Sequence, residues 1–317
     1  MEHPAQAEPV EAHQMRDPLT IPALAPNTAQ AEPVEAPESS LPPQLSLSKP
    51  PTAFDPDWLV PQWTAQHIGA VMTTRRGGFS APPFDSMNLR DAVGDNPITV
   101  AQNQSTLAQA TAAKPVYLNQ VHGITVARLT RADTLPGAPI HTADASITTE
   151  PGIACIAQVA DCLQVLFAAP NGNAVGAAHA GWRGLAAGVL EATLRELCEA
   201  ANCTPGEVQA WLGACIGPRH FEVGADVLEA FGARPLDLGS NDEPDRVARF
   251  VPHAPGKWLA NLPLLARDRL RAAGVTQISG GEWCTVADPS RFFSYRRDRI
   301  TGRMAAAIWI VPGAAVG

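Results

Sequence analysis

IACIAQVADCLQVLFAAPNGNAVGAAHAGWRG, residues Ile153–Gly184, is the stretch whose reading decides the fold. Ile153–Val159 is a continuous apolar run of strand length that stops at Asp161-Cys162, and Leu163–Ala168 is a second such run. Asn171-Gly172 is a hairpin turn signal, after which Ala174–Ala178 returns as a strand and delivers His179 at its end. Gly181-Trp-Arg-Gly184 turns the chain into one predicted helix, with Leu185, Val189, Leu190, Leu194, Leu197 and Cys198 on a broad apolar face. Outward from this centre, Val71–Thr74 reads as a strand entering the turn Arg75-Arg-Gly-Gly78. Asp95 or Asn96 caps a helix with Pro97 in its first turn. Val116–Leu118 and Ile124–Leu129 are short β-rich runs on either side of His122. Further strands are predicted at Val208–Cys215, Val275–Ile278, Trp283–Val286 and Met304–Val311, and helices at Gly224–Phe231 and Leu264–Ala273. Strands outnumber helices, and hairpins mix with crossovers. That is an α+β pattern with mixed β-sheets rather than a doubly wound one.

Residues 1–50 have a different character. They hold ten prolines, and Ala5-Gln-Ala-Glu-Pro-Val-Glu-Ala12 recurs letter for letter as Ala29–Ala36. Such a segment cannot bury enough apolar surface to offset its ordering entropy, so it is expected to be a disordered tail. Residues 51–317 are long enough for one well-buried domain. The net charge is −8, and no basic stripe with interleaved aromatics points to nucleic acid. The start lacks an export signal, and the apolar run from Met304 is interrupted by Pro312 and too short to span a bilayer. The expectation is a cytoplasmic protein without a membrane or nucleic-acid partner, its oligomeric state open. Six cysteines show no disulfide spacing. Cys155, Cys198 and Cys215 read as small core residues, whereas Cys162 follows an Asp at a strand end.

His122, Cys162 and His179 are the candidate chemical centre. Two imidazoles and one thiolate can hold a zinc ion and leave its fourth position open. A metal-free Cys–His nucleophile pair with His179 as base is the competing chemistry, and ordinary buried residues are the bland alternative. Arg183 lies where a helix N-terminus and a guanidinium together suit a phosphate or carboxylate. Arg75, Arg296 and Arg297 occur in turn-rich or strand-end contexts, with surface ion pairing as the alternative. Gly77-Gly78 beside Arg75 suits an anion nest or an ordinary turn. Asp144 and Asp161 are candidates for moving a proton or for orienting a metal-binding imidazole through its other nitrogen.

Six ordered motifs carry a resemblance: Thr73-Thr-Arg-Arg-Gly-Gly-Phe-Ser80, Asn119-Gln-Val-His-Gly123, Ala160-Asp-Cys162, Ala178-His-Ala-Gly-Trp-Arg-Gly184, Ala214-Cys-Ile-Gly-Pro218 and Phe292-Phe-Ser-Tyr-Arg-Arg-Asp298. From about Trp58 to Val311 the chain resembles the bacterial laccase-domain family. Its members were first labelled polyphenol oxidases and are now regarded as zinc-dependent purine nucleoside phosphorylases. The resemblance implies α/β/β/α layers and the metal ligands His122, Cys162 and His179. It also implies phosphorolysis of adenosine, inosine, guanosine and methylthioadenosine, with adenosine deamination beside it. On that reading Cys162, His179 and Arg183 are catalytic, Arg75, Arg183 and Arg297 hold substrate or phosphate, and purine nucleosides and phosphate are the partners. A role in peptidoglycan precursor editing, attributed to some members, keeps a Cys–His hydrolase or amidase as the alternative. Copper chemistry on phenols ranks below both, because His67, His141, His220 and His253 show no paired spacing. The zinc deaminase pattern His-x-Glu with Pro-Cys-x-x-Cys is absent. Ala92 stands where many relatives carry His.

Overall fold

The computed structural model describes residues 54–234 and 249–313; the tail expected at 1–50 lies outside them. Two mixed sheets pack face to face. The first has the order β1 (Ile68–Met72), β13 (Met304–Ile310), β5 (Ile153–Val159), β2 (Lys114–Val116). The second runs β12 (Gln277–Gly280), β8 (Gln209–Leu212), β6 (Leu163–Ala168), β7 (Val175–Ala180), β4 (Ala145–Thr148), β3 (Val126–Arg128). β2 on β5, β3 on β4 and β12 on β8 are parallel, and the other pairings in these two sheets are antiparallel. A small third sheet joins β10 (Phe250–Ala254), β11 (Lys257–Ala260) and β9 (Glu222–Val223).

Side-chain alternation builds the layers. Along β13, Ala305, Ala307 and Trp309 pack with Leu107 of helix α1 (Pro97–Thr111), whereas Met304, Ala306, Ile308 and Ile310 point into the space between the sheets. In β6, Leu166 and Ala168 face that same space. Val165 and Phe167 face away, toward Leu194 and Leu197 of α3 (Val189–Ala201) and Leu265 and Leu270 of α4 (Leu262–Ala272). The order is therefore helix, sheet, sheet, helix. Both sheets are covered on both faces, which is why β5, β6 and β13 carry almost no polar residues. Trp309 crosses β1 at Gly69, where a Cβ would lie 2.1 Å from the indole.

The hairpin at Asn171-Gly172 forms, joining β6 to antiparallel β7. Its loop is longer than two residues, with Asn171 at φ 58° and Gly172 at φ 70°. The single helix predicted after Gly184 is two: α2 (Trp182–Ala187) and α3, separated by Gly188 at φ 104°. Only glycine takes that conformation readily, so it ends one helix and redirects the next. The strand expected at Trp283–Val286 is reduced to a bridge between Cys215 and Cys284. Asn96 caps α1 as predicted, its side chain accepting from Ile98 N at 2.9 Å. Among the described residues no helix is long and apolar enough to cross a membrane.

Candidate metal centre and its arginine-lined cavity

Three chain crossings converge at one end of the paired sheets. Ala160-Asp161-Cys162 carries the chain from β5 in one sheet to β6 in the other. His179 sits on β7 opposite Gln164. His122 lies in the loop between β2 and β3 at φ 63°. Their side chains meet: Cys162 Sγ is 3.7 Å from His122 Nε2, the two imidazoles are 4.7 Å apart between centroids, and the ligand-type atoms all lie within 4.8 Å of one another.

Asp144 organises this centre. The residue is 1 % exposed and lies just before β4. Its carboxylate accepts from Val121 N at 3.1 Å, His122 N at 2.8 Å and Gly123 N at 2.6 Å. It also meets His179 Nδ1 at 2.8 Å. One buried anion thus closes the His122 loop and fixes the His179 ring, leaving Nε2 as the free nitrogen of that imidazole. This is the arrangement that orients a metal-binding histidine. Burial raises the Asp144 carboxyl, but His179 and the backbone donors outweigh it and hold the group below its ordinary range. Asp161, at φ 89°, accepts from Thr285 Oγ1 at 2.5 Å and from Arg296 N at 2.6 Å.

Electrostatics couple the thiol to the imidazole. Burial pushes the Cys162 thiol up, yet His179 and His122 bring it down to about 6. Burial likewise disfavours charged His179, and Cys162 with Asp144 raises it to about 9. A thiolate beside an imidazolium is the favoured metal-free state. The same thiolate and neutral imidazole nitrogens are a metal donor set. The cradle is tight, since a Cβ on Gly181 would lie 2.6 Å from His122 Cδ2 and 3.1 Å from Cys162 Sγ. Gly184 lets α2 pass the same loop, a Cβ there lying 2.9 Å from Gly123 O. The donors, their spacing and the oriented His179 ring fit one metal ion, and they form the one such group among the described residues.

Two lobes of one cavity flank the centre and share His122, Ala160, Cys162 and Tyr295. One, of about 300 Å³, is walled by Trp182, Phe221 and Tyr295 with Arg183, Arg296 and Arg299. The other, of about 440 Å³, is lined by Arg90, Gln120, Gln158, His179 and Arg303. Arg183 reaches the first lobe as part of α2, its guanidinium 4.3 Å from the Trp182 ring centroid. That helix has only six residues, so the positive field there comes from the guanidinium more than from a helix N-terminus.

Arg75 and Arg297 are not brought into either lobe. Arg75 binds the Asp85 carbonyl and carboxylate and the Pro289 carbonyl. Arg297 binds Asp298 and the carbonyls of Thr285, Val286 and Phe292. Both guanidiniums brace loops. Sequence reasoning missed Arg90, Arg299 and Arg303. A usable signal was the run Arg291–Arg303, whose arginines outnumber its acidic residues.

Comparison with known proteins gives the following. The profile of a family described as "Multi-copper polyphenol oxidoreductase laccase" matches residues 69–311. The chain is 46% identical over 256 residues to "Purine nucleoside phosphorylase PA4543" of Pseudomonas aeruginosa, covering 80% of this chain and 98% of that one. It is 48% identical over 258 residues to "Purine nucleoside phosphorylase YfiH" of Escherichia coli, with the same coverages. Among solved structures, protein NMB0706 of Neisseria meningitidis superposes with a TM-score of 0.72 at 41% identity, covering 80% of this chain and 99% of that one. YlmD of Geobacillus stearothermophilus superposes with a TM-score of 0.70 at 32% identity, covering 78% and 93%.

Proposed function

The chain belongs to the laccase-domain family described as multi-copper polyphenol oxidoreductase laccase, and from that membership and its site we propose that it is a zinc-dependent purine nucleoside phosphorylase. The observation that carries the reading is the His122–Cys162–His179 group, oriented by Asp144, in a cavity lined by Arg90, Arg183, Arg296, Arg299 and Arg303. The one carboxylate in that lining, Asp161, is tied to Thr285 and Arg296 N. An arginine-rich cavity of this kind suits an anionic co-substrate, and the relatives' names supply the reaction class. His122, Cys162 and His179 would hold the zinc, which when bound supplies Lewis acidity at its open position. Asp144 keeps the His179 ring aimed, and the guanidiniums bind anion and stabilise developing negative charge. The flat walls Trp182, Phe221 and Tyr295 suit a purine ring. Inosine, adenosine, guanosine and methylthioadenosine are the proposed substrates, and deamination of adenosine a further activity. One three-ligand group among the described residues argues against multicopper chemistry, which needs several copper sites.

The deciding assay incubates purified protein with inosine or adenosine, with and without phosphate, beside metal analysis. Phosphate-dependent release of free base and ribose 1-phosphate, with about one zinc per chain, is the expected result. Base release that ignores phosphate would refute the phosphorylase reading. A second reading, a metal-free Cys–His hydrolase or amidase, has its own support in the Cys162 thiol lowered beside His179, with Asp144 behind it. Activity that survives exhaustive chelation would favour it.

A further inference from the structure

We infer that Arg90 and Arg303 form the phosphate subsite, in a lobe that meets the one taking the purine at His122 and Cys162. The inference rests on the phosphorylase reading for the identity of the anion, and on geometry for its place. In the polar lobe, Arg303 Nη1 donates to the carbonyls of Thr301 and Gly302 at 2.8 and 3.1 Å, which fixes the guanidinium. Among the described residues its guanidinium has no carboxylate partner, and Arg303 lines the lobe. Arg90, also lining it, has a guanidinium with no ion pair or hydrogen bond among the described residues. No Asp or Glu contributes to this lining. The neighbouring glutamines do not supply a countercharge: Gln120 and Gln158 bond to each other's backbone or side chain, and Gln158 Nε2 to Leu89 O.

Two guanidiniums near each other in a half-buried lobe repel. Arg303 accordingly holds its proton less firmly than a free arginine, through burial first and Arg90 second. A dianion with several acceptor oxygens relieves both effects, because it accepts from two guanidiniums at once. The other lobe is more apolar, although Arg303 too lies 5.9 Å from the Tyr295 ring that lines both lobes. Its guanidiniums lie on aromatic faces: Arg183 over Trp182, Arg296 over Phe221 and Arg299 over Tyr295, at 4.3, 5.5 and 5.8 Å. Ile216 and Leu262 complete an apolar wall. A flat heterocycle fits there, with Arg183 placed to donate to a purine O6/N7 edge as arginine does to guanine.

With purine in one lobe and phosphate in the other, the ribose C1′ lies between them, beside Cys162 and His179. A phosphate oxygen forms the bond to C1′ as the C1′–N9 bond breaks. The bonding electron pair leaves with the purine, and the proton of hydrogen phosphate ends on the purine. Arg183 meets the charge developing on the leaving base, and Arg90 with Arg303 holds the nucleophile.

The test uses full-length zinc-loaded protein and the variants Arg90→Gln, Arg303→Gln and Arg183→Gln, with zinc content and melting temperature checked for each. Inorganic phosphate and inosine are varied independently. Phosphate binding without nucleoside is read by equilibrium dialysis. Arg90→Gln should raise the phosphate KM about tenfold or more, the size of one lost charge-assisted hydrogen bond. Its inosine KM should move less than about threefold, since a residue on one substrate's subsite leaves the other's binding largely intact. Arg183→Gln should show the reverse pattern. An unchanged phosphate KM in both Arg90→Gln and Arg303→Gln, or a phosphate defect confined to Arg183→Gln, overturns the assignment. If wild-type protein performs no phosphorolysis but dialysis shows phosphate binding that Arg90→Gln loses, the phosphorylase reading falls and the anion subsite stands.

Discussion

Replacing Asp144 by Asn probes the centre most directly, because it preserves shape and removes only charge and half the acceptor capacity. One carboxylate oxygen serves His122 N and His179 Nδ1, and the other serves Val121 N and Gly123 N. An amide offers one acceptor oxygen and one donor nitrogen, so either rotamer sets its NH₂ against two hydrogen-bond donors. Keeping the oxygen on His122 N and His179 is the better choice, because Val121 is exposed and water can replace part of what its N–H loses. Two hydrogen bonds to a charged acceptor are then lost, at about 1.5–3 kcal/mol each, with solvation favouring the lower end. A cost near 3 kcal/mol is a substantial part of a typical domain stability of about 5–15 kcal/mol. For a domain of this size it lowers the melting temperature by roughly 10 °C. Zinc affinity should fall about 10–100-fold, the usual consequence of mutating the partner of a metal-binding imidazole, because His179 keeps an acceptor but loses the negative charge behind it. Competition with a chromophoric chelator measures it, with circular dichroism confirming the folded fraction. Zinc affinity within about twofold of wild type would refute the claim that Asp144 orients the donor set.

Gly181→Ala should lower zinc affinity by about tenfold or more while costing only about 1–3 kcal/mol of stability, because the added methyl presses on His122 and Cys162 and not on the sheets. Chelator competition and thermal melts of the metal-free protein check both halves. In metal-stripped protein, iodoacetamide should alkylate Cys162 with a midpoint near pH 6, because the thiolate forms as pH rises through that value. Zinc should protect the thiol, and a midpoint near the ordinary thiol value of about 8.5 would count against the His179 pairing. Deleting residues 1–50 should leave melting temperature and turnover nearly unchanged, as its proline-rich, repeated composition suggests. A drop of several degrees on thermal melting would show the tail docked on the domain.

Much of this architecture can be read from the sequence because both sheets are buried on both faces. β5, β6 and β13 show unbroken apolar runs, and those runs locate the strands whatever their partners. His122, Cys162 and His179 stand out for a related reason: each polar side chain follows or interrupts an apolar strand beside Gly or Asp. The break at Gly188 is hidden, because a glycine within a helical pattern gives no sign of its φ. The arginines divide for a physical reason as well. In the sequence Arg75 and Arg297 read much like Arg183, and only the fold shows their guanidiniums engaged with loop carbonyls. Arg90 and Arg303 come from opposite ends of the described domain. Their shared lobe has no local pattern, since periodicity reports neighbours along the chain and not across it.

Strain at the centre explains why two aspartates stand where the sequence suggested proton carriers. His122 and the residue before Cys162, Asp161, both adopt positive φ, at 63° and 89°. For residues other than glycine this costs on the order of 1–3 kcal/mol each and persists only when the surroundings enforce it. Asp144 enforces the first through three consecutive N–H groups. Asp161 is itself held by Thr285, Arg296 N and Ile216 N. Each aspartate therefore fixes a strained loop that aims a donor, and each has both oxygens occupied in doing so. A carboxylate engaged in this way is poorly placed to carry a proton to a leaving group. That leaves the guanidiniums, beside the proposed zinc, as the groups around the cavity able to meet developing negative charge, which is what the proposed phosphorolysis would require of them.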